Sequence, residues 1–197
     1  MHTIVIANDR ARSTNERDVW RLYDLRAKTV TFVDDIERTF HSESIESMVL
    51  KRRAAMRETL PPHYPIVKFR RGEATRTILG LTAQEAVIES GAYQRQLWVA
   101  EHPSIPRSLF ATMHATEPVS SPLAAMMRAA DAALIDLSGF PLLDHAELPY
   151  GKEKLVIDRA VVRVAERDVP EAMLMVPKEY RDVSEAPSPR RAGRGPG

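Results

Sequence analysis

Val19-Trp20-Arg21-Leu22-Tyr23-Asp24 alternates large apolar and polar side chains, and Thr29-Val30-Thr31-Phe32-Val33-Asp34 repeats the pattern a few residues later. Trp20 and Leu22 fall on one side of the first segment, Arg21 and Tyr23 on the other. Val30 and Phe32 share a side of the second. A two-residue period with β-branched and aromatic residues is the signature of a half-buried strand. A third short segment, 38–42, places Phe40 between Thr39 and His41. The links at Leu25-Arg26-Ala27 and Asp35-Ile36 are short enough for hairpins, so the three segments read as an antiparallel meander. Residues 3–7 read as a strand that precedes it.

The period then changes. Ile45, Met48, Val49, Met56 and Leu60 recur at helical spacing. Ser44 is placed to cap that helix, Glu46 suits its first turn, and Pro61-Pro62 ends it. Strands return at 66–69, at 75–79, through Gly80 into 82–89, and through Gly91-Ala92 into 93–100. In the last of these Tyr93, Leu97 and Val99 share a face, and Trp98 lies opposite with Gln94 and Gln96. A short helix is expected around Leu109, Phe110 and Met113. A longer one is expected after Ser121-Pro122, with Leu123, Met126, Met127, Ala130, Leu134 and Leu137 in one stripe and Gly139 as a left-handed stop. Two strands close the pattern, 142–148 and a long one over 154–166 whose alternation shifts near Ala160, read as a bulge. The Pro-, Ser-, Arg- and Gly-rich residues 186–197 read as a disordered tail and residues 1–185 as one domain.

Composition narrows the function. The chain has 197 residues, 44% hydrophobic and 28% charged, enough for one domain with a real core. Its 28 basic and 27 acidic residues nearly balance, and Arg190, Arg191 and Arg194 belong to the tail. That is not the footprint of a nucleic-acid binder. No cysteine is present, which excludes disulfides, thiolate zinc sites and cysteine nucleophiles. No stretch approaches the roughly 18 apolar residues of a membrane-spanning helix.

Catalytic signatures are missing from the sequence. It has no phosphate-binding glycine loop and no G-x-S-x-G elbow. His2, His41, His63, His102, His114 and His145 show no metal-ligand spacing. Asp34-Asp35 reads as a turn before it reads as a metal site, because aspartate side chains bond local backbone in turns. His41 reads as an ordinary strand residue, Lys51-Arg52-Arg53 with Arg57 as the solvated face of the helix, and Met126-Met127 with Met113 as core. The expectation is a non-enzyme with no metal and no cofactor.

Several stretches in order resemble a known family. They are Val19 to Asp24 with Lys28 to Asp34 ahead of Phe40, Leu79-Gly80-Leu81-Thr82-Ala83-Gln84, Leu97-Trp98-Val99-Ala100, Gly139-Phe140-Pro141-Leu142, and Val169-Pro170 with Val176-Pro177-Lys178-Glu179-Tyr180. Their order and spacing resemble a secreted bacterial family of unknown function with a lipoprotein-carrier-like (LolA/LolB-like) half-barrel. Glu179 stands where that family has glycine before Tyr180. The family's signal peptide and first strands have no counterpart here, so the chain reads as N-terminally truncated relative to it.

The resemblance implies an α+β fold, a curved antiparallel sheet packed over helices on its concave face. It also implies a periplasmic or secreted location, or a cytoplasmic one if Met1 is the true start. It carries no catalytic residues. On that fold a lipid or other apolar ligand is expected in the concavity, against Trp20, Leu22, Val30, Phe32 and Leu97. The rival expectation is a structural or sensory protein-interaction domain whose concavity is filled by its own helices, its protein partner unknown.

Overall fold

Eleven strands form in the computed structural model, which describes residues 2–15, 18–59, 67–119, 134, 138–150 and 152–184. They are β1 (Thr3–Ala7), β2 (Arg10–Thr14), β3 (Val19–Asp24), β4 (Thr29–Asp34), β5 (Thr39–Ser44), β6 (Lys68–Ile78), β7 (Leu81–Ser90), β8 (Tyr93–Ala100), β9 (Phe140–Tyr150), β10 (Glu153–Ala160) and β11 (Arg181–Asp182). The helices are α1 (Ile45–Thr59) and α2 (Leu109–Ala115), with a 3-10 turn at Glu171–Leu174. The fold is α+β with antiparallel sheets, as expected. The strands divide between two sheets, one ordered β1-β2-β3-β4-β5-β11 and the other β10-β9-β8-β7-β6. Every pairing is antiparallel except β11 on β5.

The meander of the first sheet is built by its turns. Asp24 Oδ1 accepts the Ala27 N–H at 2.7 Å, and Asp34 Oδ1 accepts those of Ile36 and Glu37 at 2.9 Å. Each turn ends four residues on in a left-handed residue, Lys28 (φ 56°) and Arg38 (φ 50°). The repeated chemistry makes two hairpins of the same length, so β3, β4 and β5 lie in sequence order. Asn8 (φ 53°) turns β1 into β2, a strand the sequence pattern did not show because Arg10–Thr14 is polar almost throughout.

Helix α1 begins where expected, with the Ser47 N–H donating to Ser44 Oγ at 3.1 Å. The two short strands read at 66–69 and 75–79 are one long β6, and the register slip between Arg71 and Thr75 accounts for the broken pattern. Leu79 and Gly80 both adopt positive φ, the geometry of a tight two-residue hairpin turn. The strand expected over 154–166 ends at Ala160. Residues 161–170 continue outside any strand, so the shift near Ala160 marks a strand end and not a bulge. The helical stripe at 121–137, Leu134 excepted, and the tail at 186–197 lie outside the described residues.

Helix α2 joins the two sheets. Leu109 is buried with Ala11, Tyr23 and Val30 of the first sheet, where Met48 of α1 and Met113 also pack. Its neighbour Phe110 packs against Ile88, Tyr93, Leu97 and Leu148 of the second sheet, together with Leu134. Successive helical residues point about 100° apart, so two adjacent side chains serve two different cores. Arg52 of α1 fixes α2 from the outside by donating to the His114 carbonyl at 2.7 Å. At the start of β9, Gly139 has φ +100°, and a Cβ there would lie 2.4 Å from the Ala100 carbonyl oxygen. Only glycine suits that conformation and that approach.

Candidate functional site

The five residues expected to line one concavity lie in three places. Antiparallel register sets Tyr23 opposite Val30 and Arg21 opposite Phe32, while Trp20 faces Val33 and Leu22 faces Thr31. Directly opposed residues project to the same side of a sheet. Trp20 and Leu22 are therefore on one face of the first sheet and Val30 and Phe32 on the other. Leu97 belongs to the core of the second sheet. The alternation within each strand was legible, but the link length decides which faces combine, and the four residues between Asp24 and Thr29 bring Tyr23 and not Leu22 to Val30.

The Val30 face is closed by helices. Val30 is fully buried and Tyr23 is 1% exposed, and burial raises the Tyr23 phenol above its ordinary pKa. Phe32 stacks on His41 at 4.8 Å, so that imidazole is a strand neighbour, as the sequence indicated. Arg21 reaches Glu117, just past α2, at 3.3 Å. On the opposite face Trp20 is 2% exposed beneath the Arg12 guanidinium, 3.8 Å above the ring. The indole N–H donates to Asp35 Oδ1 at 2.8 Å, and the Tyr180 hydroxyl donates to the same atom at 3.0 Å. Asp35 is thus an anchor for the returning C-terminal segment. Lys51 is paired with Glu43, while Arg53 and Arg57 lie exposed on α1.

The second sheet holds polar clusters on both faces. Arg95 sits in the buried register of β8, between Tyr93 and Leu97, and binds Asp144 of β9 through two parallel bonds of 2.8 Å. Arg95 is 1% exposed and Asp144 6%. Arg159 of β10 adds a third bond to Asp144 at 3.1 Å. A two-pronged guanidinium–carboxylate contact is the geometry that best compensates loss of water from both ions. The sequence reading missed it because the partners are 49 positions apart; the available signal was a charge in an otherwise apolar register.

On the outward face, His145 is held on both sides. Its Nδ1 lies 2.6 Å from Asp158 and its Nε2 3.3 Å from Glu147, which also accepts from Lys154 at 2.9 Å. The bonds to Asp158 and Glu147 raise the imidazole pKa above its ordinary value. Glu147, bonded by Lys154 and then by His145, is held below the usual carboxylate range. In its charged form the imidazole donates from both nitrogens and has no lone pair for a proton or a metal. A shallow cleft of about 270 Å³ beside it is lined by Arg70, Glu85, Glu89 and Gln96. A wider one of about 580 Å³ lies between the β1–β2 turn, Pro103–Pro106 and Arg167–Asp168. Among the described residues no group of three or more His, Cys, Asp and Glu is arranged to hold a metal ion, and no helix is long and apolar enough to cross a membrane.

No protein-family model matches the chain, and no curated protein matches it. Among solved structures it is similar to one described as the structure of PNGF-II in the C2 space group. The match has a TM-score of 0.42 and 10% identity, and covers 92% of this chain and 28% of that one. The chain thus spans little more than a quarter of that protein, and a likeness at this level carries no argument about function.

Proposed function

We propose that this chain is a non-catalytic domain that acts through protein–protein contact and holds no small apolar ligand; the family resemblance would place it in the cell envelope. The observation that carries this reading is the filling of both apolar sheet faces by the chain's own side chains. Val30 and Leu97 have no exposure, with Leu109 and Met113 against one sheet and Phe110 and Leu134 against the other. Pockets for greasy ligands are mostly apolar volumes of roughly 300–1,000 Å³. The clefts found here open to the surface and carry Asp9, Arg167 and Asp168 in one case and Glu85, His145 and Glu147 in the other. The polar groups of the second sheet are engaged with one another, which supports a structural use of them. The near balance of charge gives no pull towards nucleic acid.

Native mass spectrometry of the gently purified full chain tests this, followed by titration with a fluorescent fatty acid. The expected result is the bare polypeptide mass and no saturable uptake. An extra mass extracted by organic solvent, or saturable uptake displaced by phospholipid, would overturn the proposal in favour of a carrier.

A further inference from the structure

The two ends of the second sheet differ. The β6 end is basic, with Lys68, Arg70, Arg71 and Arg76 exposed, and it is interrupted by the slip between Arg71 and Thr75. Like charge and irregular register are how natural sheets discourage pairing at an edge. At the other end β10 runs through eight residues paired to β9 without a slip, and among the described residues it has no strand on its outer side. Its centre is Leu155-Val156-Ile157, with Leu155 37% and Val156 46% exposed.

The backbone polarity of that edge follows from one bond. The Val161 N–H donates to the Leu142 carbonyl at 2.8 Å, which makes 161 and 142 a hydrogen-bonded pair. Such pairs alternate along an antiparallel ladder. The peptide groups of Leu155, Ile157 and Arg159 are therefore turned to β9, and those of Lys154, Val156 and Asp158 point outward.

The sequence of this edge complements itself. Antiparallel pairing about a two-fold axis at Val156 sets Leu155 against Ile157, Lys154 against Asp158 and Glu153 against Arg159 of the second copy. Every charged residue of the strand then stands across from its opposite, with Lys154, Asp158 and Arg159 shared between the seam and their partners Glu147, His145 and Asp144 in the same chain, and the apolar centre meets itself. Moving the axis to Leu155 sets Glu153 against Ile157, and moving it to Ile157 sets Leu155 against Arg159. We infer that two copies of this chain associate through β10, in antiparallel register centred on Val156, to make one continuous sheet. A closed two-fold contact needs a self-complementary patch, and opposite charges directly across a seam favour one register over its neighbours. The association does not depend on whether the interior holds a ligand, so lipid uptake and self-association are read out separately.

The absence of cysteine gives a clean test. Hydrogen-bonded antiparallel partners have Cα atoms about 5.5 Å apart, within the span of a disulfide. In the full chain, Val156→Cys is expected to oxidise to a covalent dimer. Leu155→Cys and Ile157→Cys are each expected to give no covalent dimer alone and to cross-link when mixed. Sedimentation of the unmodified chain is expected to shift from monomer towards dimer as concentration rises. Lys154→Glu is expected to abolish the shift while leaving the circular dichroism spectrum unchanged. A chain that sediments as a monomer throughout, or three cysteine variants that cross-link equally when alone, would overturn the inference.

Discussion

The two sheets bury their side chains differently. The first hides residues on both faces: Tyr23 towards the helices is 1% exposed, and Trp20 on the other side 2%. The second alternates over Tyr93–Leu97 of β8, where Tyr93, Arg95 and Leu97 are buried and Gln94 and Gln96 exposed, and its outward face beside His145 is charged; at Val87-Ile88 and Val99-Ala100 it too buries adjacent side chains. Its apolar face nonetheless contains an ion pair, while the first sheet spends its key polar contact, Asp35, at the rim. The second sheet tolerates buried charge at its centre because Asp144 meets Arg95 through two parallel bonds, and the first places its polar anchor where the returning chain segment meets it.

The largest test of that difference is Asp144→Ala. It removes the two-pronged carboxylate partner of the Arg95 guanidinium in the core and is expected to cost about 3–5 kcal/mol in urea denaturation. A cost below about 1 kcal/mol, the worth of an exposed pair, would mean that water reaches the pair. Next is Gly139→Ala, which forces a side chain into a left-handed residue against the Ala100 carbonyl. It is expected to destabilise by about 1–3 kcal/mol, read as a lower thermal midpoint. Tyr180→Phe removes one of the two donors to Asp35 at the first sheet's rim and is expected to lower the thermal midpoint slightly, by less than Gly139→Ala. Faster proteolysis after Leu174 in that variant would confirm that Asp35 holds the C-terminal segment.

The smallest effect concerns the charged face. The His145 imidazole is expected to titrate above the ordinary histidine range by NMR, and Asp158→Asn to bring its midpoint down. Because the folded pKa is raised, its contribution to stability is complete below the unfolded pKa near 6.5 and is lost as pH rises through the folded value. A midpoint at or below the ordinary value would show that the clamp is not formed in solution.

Much of the fold could be read from the sequence because its turns and helix cap are local chemistry. Asp24, Asp34 and Ser44 act on backbone within three residues of themselves, and each does what its residue type suggests. The strand faces in β3, β4 and β8 were equally plain. What escaped was set by partners far along the chain. β2 has no apolar pattern and exists because β1 and β3 flank it. The long strand ends at Ala160, opposite Leu143 of β9, with one further bond from Val161 to the Leu142 carbonyl. The grouping of Trp20, Leu22, Val30 and Phe32 failed on a register that no single strand encodes, and the Arg95–Asp144 pair on a contact between strands 49 positions apart.

The parallel strand β11 has a consequence for how the molecule is made. Ser42 and Ser184 are joined by a hydrogen bond that spans 142 positions, and Val183 bonds the carbonyl of Phe40. Until residues 180–184 have been synthesised, β5 is an open sheet edge and Trp20 lacks the Tyr180 side of its anchor. Contacts that join distant segments form late and leave intermediates with exposed edges. The nascent chain is therefore most exposed to misassembly in the interval between forming β1 to β5 and receiving β11, and ribosome-stalled chains ending before Arg181 are the species in which chaperone contact should be sought.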